Sequence, residues 1–360
     1  MYSEYRNHFL TAAAKTSLLH RAVLHDNLGS QNEPLWTDYL YTPEKKPYCL
    51  IHLSGTHGIE GYLGSLIQRE ILLQLQDSVL SDHQLVFVHA VNPFGMSWFQ
   101  RTNAANVDLN RNFLQGKKIN NPHFQQFLPF LNSGTGPQRQ WSFVKTLPLM
   151  VRLGLKQTVQ TVACGQNEYS DSLFYAGTEL QPELVSLQEN LREIVSLDSQ
   201  IYVIDIHTGL GGYGEESLIV DETAHAGEIN FFKNTLQTKI LHSSTDSRVY
   251  STEGGLARLF KYSWDSQKAL FFHQEFGTRS FLPVLWALMD ANQVQKYIRT
   301  KTPATSIPGF SETAKTMTDS FFPEALDWRA TCLRLGLLRF QQLNEKIRHM
   351  LTYKMATKVP

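Results

Sequence analysis

The chain has 360 residues, 42% hydrophobic and 18% charged, enough for one large α/β domain or two ordinary ones and too apolar for a disordered chain. Lys plus Arg (33) balances Asp plus Glu (33), so no strong general attraction to nucleic acid or an anionic membrane is expected, although a local basic patch is compatible with that balance. Three scattered cysteines (Cys49, Cys164, Cys332), an N-terminus without an apolar signal core and the lack of any membrane-span-length apolar run predict a soluble protein of a reducing, cytoplasmic compartment.

Along the chain, the first ~35 residues predict helix, with Leu10, Leu18, Leu19 and Val23 spaced roughly in helical turns. Tyr48–Ser54 is a short apolar strand, and a Gly-rich turn leads from it into a helix over Tyr62–Leu75. Leu85–Val91 is a second strand, stopped by Asn92-Pro93. Pro137–Asn167 reads as helix around Trp141–Ala163, interrupted by Pro148 and Gly154, and is taken as an insertion within one domain spanning 1–360. Ile201–Ile206 and Ala269–Phe276 are further strands, with helical segments near 182–196, 226–242, 281–299 and 324–352. Apolar strands alternating with helices imply a buried, mainly parallel sheet covered on both faces. Ligands in such folds bind beyond the carboxyl ends of the strands, where His57, His207 and Glu275 fall.

Zinc in a hydrolytic site takes three ligands from His, Asp or Glu and leaves one position open for water. His57 and Glu60, in Gly55-Thr56-His57-Gly58-Ile59-Glu60, offer a short-spaced pair, and His207, entering the Gly-rich loop 209–214, is a natural third ligand. Gly55, Gly58 and Gly61 permit tight turns and close backbone approach. A lone His-x-x-Glu is common by chance, so ordinary polar loop residues are the competing reading of the spacing. Of the thirteen histidines, His52, His89 and His273 lie inside strands and read as core or sheet-face residues. His123, His225 and His242 have no partner at ligand spacing and read as surface. The helical motif His-Glu-x-x-His is absent.

Asn92-Pro93-Phe94-Gly95 is followed by Arg101 and then by Asn106-Val107-Asp108-Leu109-Asn110-Arg111-Asn112-Phe113. With these segments the sequence resembles the zinc metallocarboxypeptidase superfamily. That group includes the carboxypeptidase A type enzymes and the deacylases of aspartoacylase and succinylglutamate desuccinylase type. A bacterial branch of peptidase-like proteins is the most similar. The superfamily pattern is His-x-x-Glu, an Arg ahead of Asp-x-Asn-Arg, a distant third His and a catalytic Glu, and all occur here in that order over roughly residues 48–280. The resemblance implies one α/β domain with a central mixed, mainly parallel twisted sheet flanked by helices on both faces.

The resemblance also implies roles. His57, Glu60 and His207 would bind Zn2+; two neutral imidazoles and one carboxylate leave the ion net positive, able to acidify water. Asp108 would orient the first zinc histidine by accepting its other N–H, against the competing reading of a loop or cap residue. Glu275 would be the general base, since a carboxylate ending an apolar strand needs a reason to be there. Arg101 would polarise the scissile carbonyl. Asn110 and Arg111 would hold a terminal carboxylate of the substrate, with a structural salt bridge the alternative for Arg111. Tyr250, ahead of Gly254-Gly255, is similar to the mobile tyrosine of carboxypeptidases and could otherwise be a packed loop residue. That register sets the wall of a specificity pocket near Ala257 and Arg258, with Arg258 favouring an acidic side chain.

The activity so implied is hydrolysis of an amide next to a free carboxylate, with a peptide or an N-acyl amino acid as substrate. A carboxypeptidase is the leading form and an N-acyl amino acid deacylase the second. A non-catalytic zinc-binding protein on the same fold is a third possibility, opposed by the retention of Glu275 and Arg101. Neither a nucleic acid nor a membrane is an expected partner, and the oligomeric state is left open.

Overall fold

The four apolar runs form the parallel centre of an eight-stranded sheet in a computed structural model of the chain, which describes residues 1–75, 82–246, 249–300 and 302–356. The strands are β1 (Leu19–Leu28), β2 (Pro34–Tyr41), β3 (Tyr48–Leu53), β4 (Gln84–His89), β5 (Gln200–Thr208), β6 (Glu216–Val220), β7 (Ile240–His242) and β8 (Ala269–Phe276). Their order is β1-β2-β4-β3-β5-β8-β6-β7. Neighbours among β4, β3, β5 and β8 are parallel, as are β6 and β7, while β1/β2, β2/β4 and β6/β8 are antiparallel. The sheet is therefore mixed and mainly parallel, as expected.

Strand alternation sorts the core into two layers. Leu50, Phe87, Tyr202, Ile204 and Phe272 face one side, which helices Tyr2–Ala13, Gly61–Gln74, Ala226–Leu236 and Leu326–Ala356 cover. Ile51, Val86, Val203 and Phe271 face the other, under helices Pro182–Ile194 and Leu256–Trp264. Asp205 and His207 continue the alternation of Ile201 and Val203, so they belong to this second face.

Two expectations fail at the sheet's margins. Helix at the N-terminus stops at Ala13, and Leu19–Leu28 is an edge strand paired with β2. Arg21, Val23 and His25 are half-buried and alternate with exposed neighbours, Val23 resting on the core; Leu24 falls on the uncovered face, and Leu19 and Leu28 lie exposed at the strand's two ends. The helix expected over 226–242 ends at Leu236, after which Gln237 adopts a left-handed conformation and Ile240–His242 forms β7. Pro137–Leu153 and Leu155–Ala163 are helices separated at Gly154. Cys49, Cys164 and Cys332 are buried free thiols. Among the described residues no helix is long and apolar enough to cross a membrane.

Candidate metal centre

The chain leaves β3, passes His57 and forms a one-turn helix, Gly58–Glu60, that runs into Gly61–Gln74. Backbone N–H groups of Gly58 and Ile59 donate to the carbonyls of Arg101 (3.2 Å) and Gln100 (2.9 Å). A Cβ on Gly58 would lie 2.0 Å from the carbonyl carbon of Gly95, so glycine is required for this approach. The contact locks the His57 turn to the segment carrying Arg101. On the neighbouring strands, His207 and Glu275 occupy directly opposed positions near the carboxyl ends of β5 and β8.

These elements bring the ligand atoms of His57, Glu60 and His207 within 4.8 Å of one another, all three side chains being buried. His57 Nδ1 lies 3.0 Å from Glu60 Oε1, His207 Nδ1 lies 2.9 Å from Glu60 Oε2, and the two Nδ1 atoms are 3.1 Å apart. Each imidazole turns Nε2 to a carboxylate: His57 to Asp108 Oδ1 at 3.1 Å, His207 to Asp205 Oδ2 at 2.7 Å. Burial works against charge on both aspartates, but Arg101 and Arg111 beside Asp108, and His207 beside Asp205, hold them well below the usual carboxylate range. Ionised carboxylates only accept, which places a proton on Nε2 of each ring. Burial opposes charge on His207, but Asp205 and Glu60 outweigh it and push this imidazole well above its ordinary value, so its Nδ1 proton is the one a bound cation would displace. Both Nδ1 atoms converge with Glu60, and with any proton on them displaced they make a donor set suited to a zinc-like cation. Burial likewise opposes charge on Glu60, yet His57 and His207 keep it ionised.

Glu275 faces this group from β8 and accepts from the backbone N–H of Leu210 at 2.9 Å. Burial first, and then the negative charge of Glu60, push its carboxyl up to about 8. A cation among the three ligands would act in the opposite sense. Arg101 donates from Nε to Asp108 Oδ2 (2.9 Å) and from Nη1 to Glu60 Oε1 (3.1 Å). It ties the aspartate behind His57 to the candidate ligand carboxylate.

A cavity of about 110 Å³ opens beside the cluster, with Arg101, Asn110, Arg111, Tyr250 and Glu275 in its lining. Asn110 accepts the Leu256 N–H on Oδ1 at 2.8 Å. Arg111 sends Nε and Nη2 to the carbonyl of Ala163 (3.2 and 2.8 Å) and Nη1 to that of Asn110 (2.9 Å). No salt bridge engages it among the described residues, and of its five N–H donors one remains on each Nη. Its guanidinium lies 5.7 Å from the centroid of the Tyr250 ring. Gly254, with φ of +71°, follows because a Cβ there would meet the Arg111 carbonyl oxygen at 2.2 Å. The Gly-Gly pair thus seats the tyrosine loop on the Asn110–Arg111 backbone.

Arg258 corrects one expectation. Its position on helix Leu256–Trp264 turns it to an ion pair with Glu222, and it does not line the cavity. The acidic Asp221, at the end of β6, lines the wall instead. Sequence reading also missed Asp205 and took His273 for an ordinary sheet-face residue. His273 lines the cavity with its Nδ1 3.4 Å from Asp205 Oδ2. The available signal was spacing by two on a strand, which puts Asp205 on the face of His207, and His273 on that of Glu275. His52 and His89 are core residues as expected, bonded to Gln68 and Ser65, and His225 caps helix Ala226–Leu236.

The mixed sheet with this His/Glu/His group at its carboxyl edge defines a protein of the zinc metallocarboxypeptidase fold. The structure of bovine thrombin-activatable fibrinolysis inhibitor in complex with tick carboxypeptidase inhibitor matches with a TM-score of 0.52 at 13% identity, covering 96% of each chain. A metallo-carboxypeptidase from Pseudomonas aeruginosa matches at 0.47 and 13% identity, over 95% of this chain and 68% of that one. Murein-tripeptide amidase MpaA from Escherichia coli O157 matches at 0.39 and 18% identity, over 76% of this chain and 91% of that one. No curated protein matches the sequence. Within the fold, the chain belongs to the family described as "Protein of unknown function (DUF2817)", whose model matches residues 1–334.

Proposed function

We propose that the protein is a zinc-dependent hydrolase that cleaves an amide bond next to a free carboxylate, a metallocarboxypeptidase in its activity. The observation that carries this reading is the convergence of two Nδ1 atoms and Glu60, each ring fixed by its own aspartate, directly across from Glu275. Zinc held by His57, Glu60 and His207 would supply a Lewis acid that acidifies water and polarises a carbonyl.

The chain's own groups do the rest. Glu275 takes the proton of the attacking water and returns it to the leaving amine. Arg101, its Nε and Nη1 engaged by Asp108 and Glu60, offers Nη2 to the oxygen that gains charge. Asn110 through its amide N–H groups, and Arg111 through its two remaining donors, hold the terminal carboxylate. Tyr250 closes over them and donates its hydroxyl. Asp221 lies in the wall for the substrate side chain and favours a cationic one.

The test is incubation of the zinc-loaded protein with a pool of peptides and N-acyl amino acids, with Glu275→Gln as control. Trimming of single C-terminal residues, lost in the control, is expected. Release of an acyl acid instead would assign a deacylase. No turnover of either class with zinc bound would leave a binding protein and overturn the proposal.

A further inference from the structure

The helix Pro137–Leu153 has two apolar faces, and only one is covered. Phe143, Met150 and Leu153 rest on the core. On the other side Trp141, Val144 and Val151 are 61%, 51% and 82% exposed, and Leu155, just past Gly154, is 79% exposed. At roughly 100° per residue, Trp141, Val144, Pro148 and Val151 fall within one arc about 80° wide, with Lys145 and Arg152 along its edge. Scattered exposed apolar residues need no explanation, but a continuous stripe on a helix already anchored by its opposite face does.

The charge around this stripe is one-sided. Residues 109–167 contain no Asp or Glu and seven Lys or Arg, in a chain with 33 of each sign. Arg139 turns inward to Asp290 at 2.6 Å. Lys145 lies over the Trp141 ring, 5.1 Å from its centroid, and Arg152 donates to Gln126 Oε1 at 3.0 Å. Lys156 is exposed. None of these last three is paired with a carboxylate among the described residues.

We propose that this face docks on the surface of an anionic lipid bilayer. Trp141, Val144, Val151 and Leu155 enter the headgroup layer, and Lys145, Arg152 and Lys156 meet lipid phosphates. An exposed tryptophan with aliphatic neighbours and flanking cations is the combination an interface rewards, since the ring and the lysine stems are apolar and their ends polar. A second copy of the chain fits less well. A two-fold pairing would set these cations against their own counterparts, with no acid in the segment to neutralise them. The balanced overall charge gives no long-range pull, so attachment rests on the local patch and insertion together. The proposal is independent of the hydrolytic site.

The test is flotation of the full-length protein with phosphatidylcholine vesicles, with and without one-third phosphatidylglycerol, at low and physiological salt. Binding only to the anionic vesicles, weakened by salt, is expected. Val151→Glu should abolish it, and Lys145→Glu and Arg152→Glu should each weaken it by on the order of five-fold or more. The melting temperature should stay unchanged in all three, because these side chains are exposed. Absence of binding at low salt, or binding indifferent to the three substitutions, would overturn the proposal. So would a dimer in light scattering that Val151→Glu dissociates, since the face would then belong to a second copy.

Discussion

His207 turns Nε2 to Asp205, two residues earlier on the same strand and 2.7 Å away, which leaves its Nδ1 facing Glu60 at 2.9 Å. The aspartate therefore decides which ring nitrogen offers a lone pair to the cluster. Asp205→Asn keeps an oxygen for the Thr56 hydroxyl, which donates to Oδ1 at 2.8 Å, but its new NH2 group would donate to Nε2 and move the ring proton to Nδ1. We expect zinc affinity, read by competition with a chromophoric chelator, to fall about 10- to 100-fold. Asp108→Asn should act differently: the Asn110 N–H (3.0 Å) holds the oxygen that faces His57, so the new NH2 group would oppose the Arg101 Nε–H and the His57 tautomer would stay, with a smaller loss of affinity. An affinity unchanged in Asp205→Asn would remove the tautomer argument.

Gly254→Ala tests the seating of the tyrosine loop. The added Cβ would meet the Arg111 carbonyl oxygen at 2.2 Å, at a φ of +71°, so the loop must shift. We expect a loss of about 1–3 kcal/mol in stability and a larger rise in KM than fall in kcat for substrates with a free carboxylate. Gly255→Ala, whose Cβ finds Asn110 Oδ1 at 3.4 Å, should be milder. Equal effects from the two would show that the Gly254–Arg111 contact does not set the loop.

The centre of the sheet was legible because β3, β4, β5 and β8 have layers on both faces and so read as continuous apolar runs. β1 was not, since its exposed leucines at 19, 24 and 28 answer to no core and their neighbours Leu18 and Val23 fall at helix-like spacing. Ordered motifs brought His57, Glu60, Asp108, His207 and Glu275 to notice. Asp205 escaped because it sits among isoleucines in a strand read as core, where a buried carboxylate announces nothing until its partner is known. Asp221 escaped with β6 itself, a five-residue strand too short to stand out from sequence. Arg258 was misplaced because counting onward from the Gly-Gly pair ignores the turn of the helix that starts at Leu256.

Far from the candidate site, Asp38 sets an acid limit on stability. Arg6 binds it through Nε (2.7 Å) and Nη2 (2.8 Å), and His20 Nε2 lies 2.9 Å from Oδ1, tying the first helix to β1 and β2. Burial alone would raise its pKa; the Arg6 hydrogen bonds, with the charges of His89 and Arg6, outweigh it and leave the carboxyl below its ordinary value. A depressed folded-state pKa stabilises above the unfolded value and loses that contribution as pH falls through the folded one. The melting temperature should therefore drop below about pH 4, where an unfolded aspartate takes up its proton. Asp38→Asn should cost about 3 kcal/mol at neutral pH and flatten this acid slope. A variant with the same slope as the parent would place the acid-sensitive group elsewhere.

Asp221 offers the sharpest test of which side chain the cavity accepts. Thr223 holds its Oδ1 through both the hydroxyl (2.5 Å) and the backbone N–H (2.9 Å). The nearest cation, Lys261, lies 3.7 Å from that oxygen but is nearer to Glu228, at 2.8 Å. One lysine thus serves two buried carboxylates, leaving net negative charge at a wall otherwise built of Ile219, Val249 and Ser243. A substrate side chain ending in an ammonium or guanidinium would supply the missing positive charge; an acidic one would meet repulsion in a poorly solvated space. For Asp221→Asn we expect kcat/KM on peptides with C-terminal Lys or Arg to fall about 10- to 100-fold, equivalent to roughly 1.4–2.7 kcal/mol, with apolar C-terminal residues little affected. Equal losses for both classes would make Asp221 a structural support for β6, and a gain for the cationic class would contradict the charge argument outright.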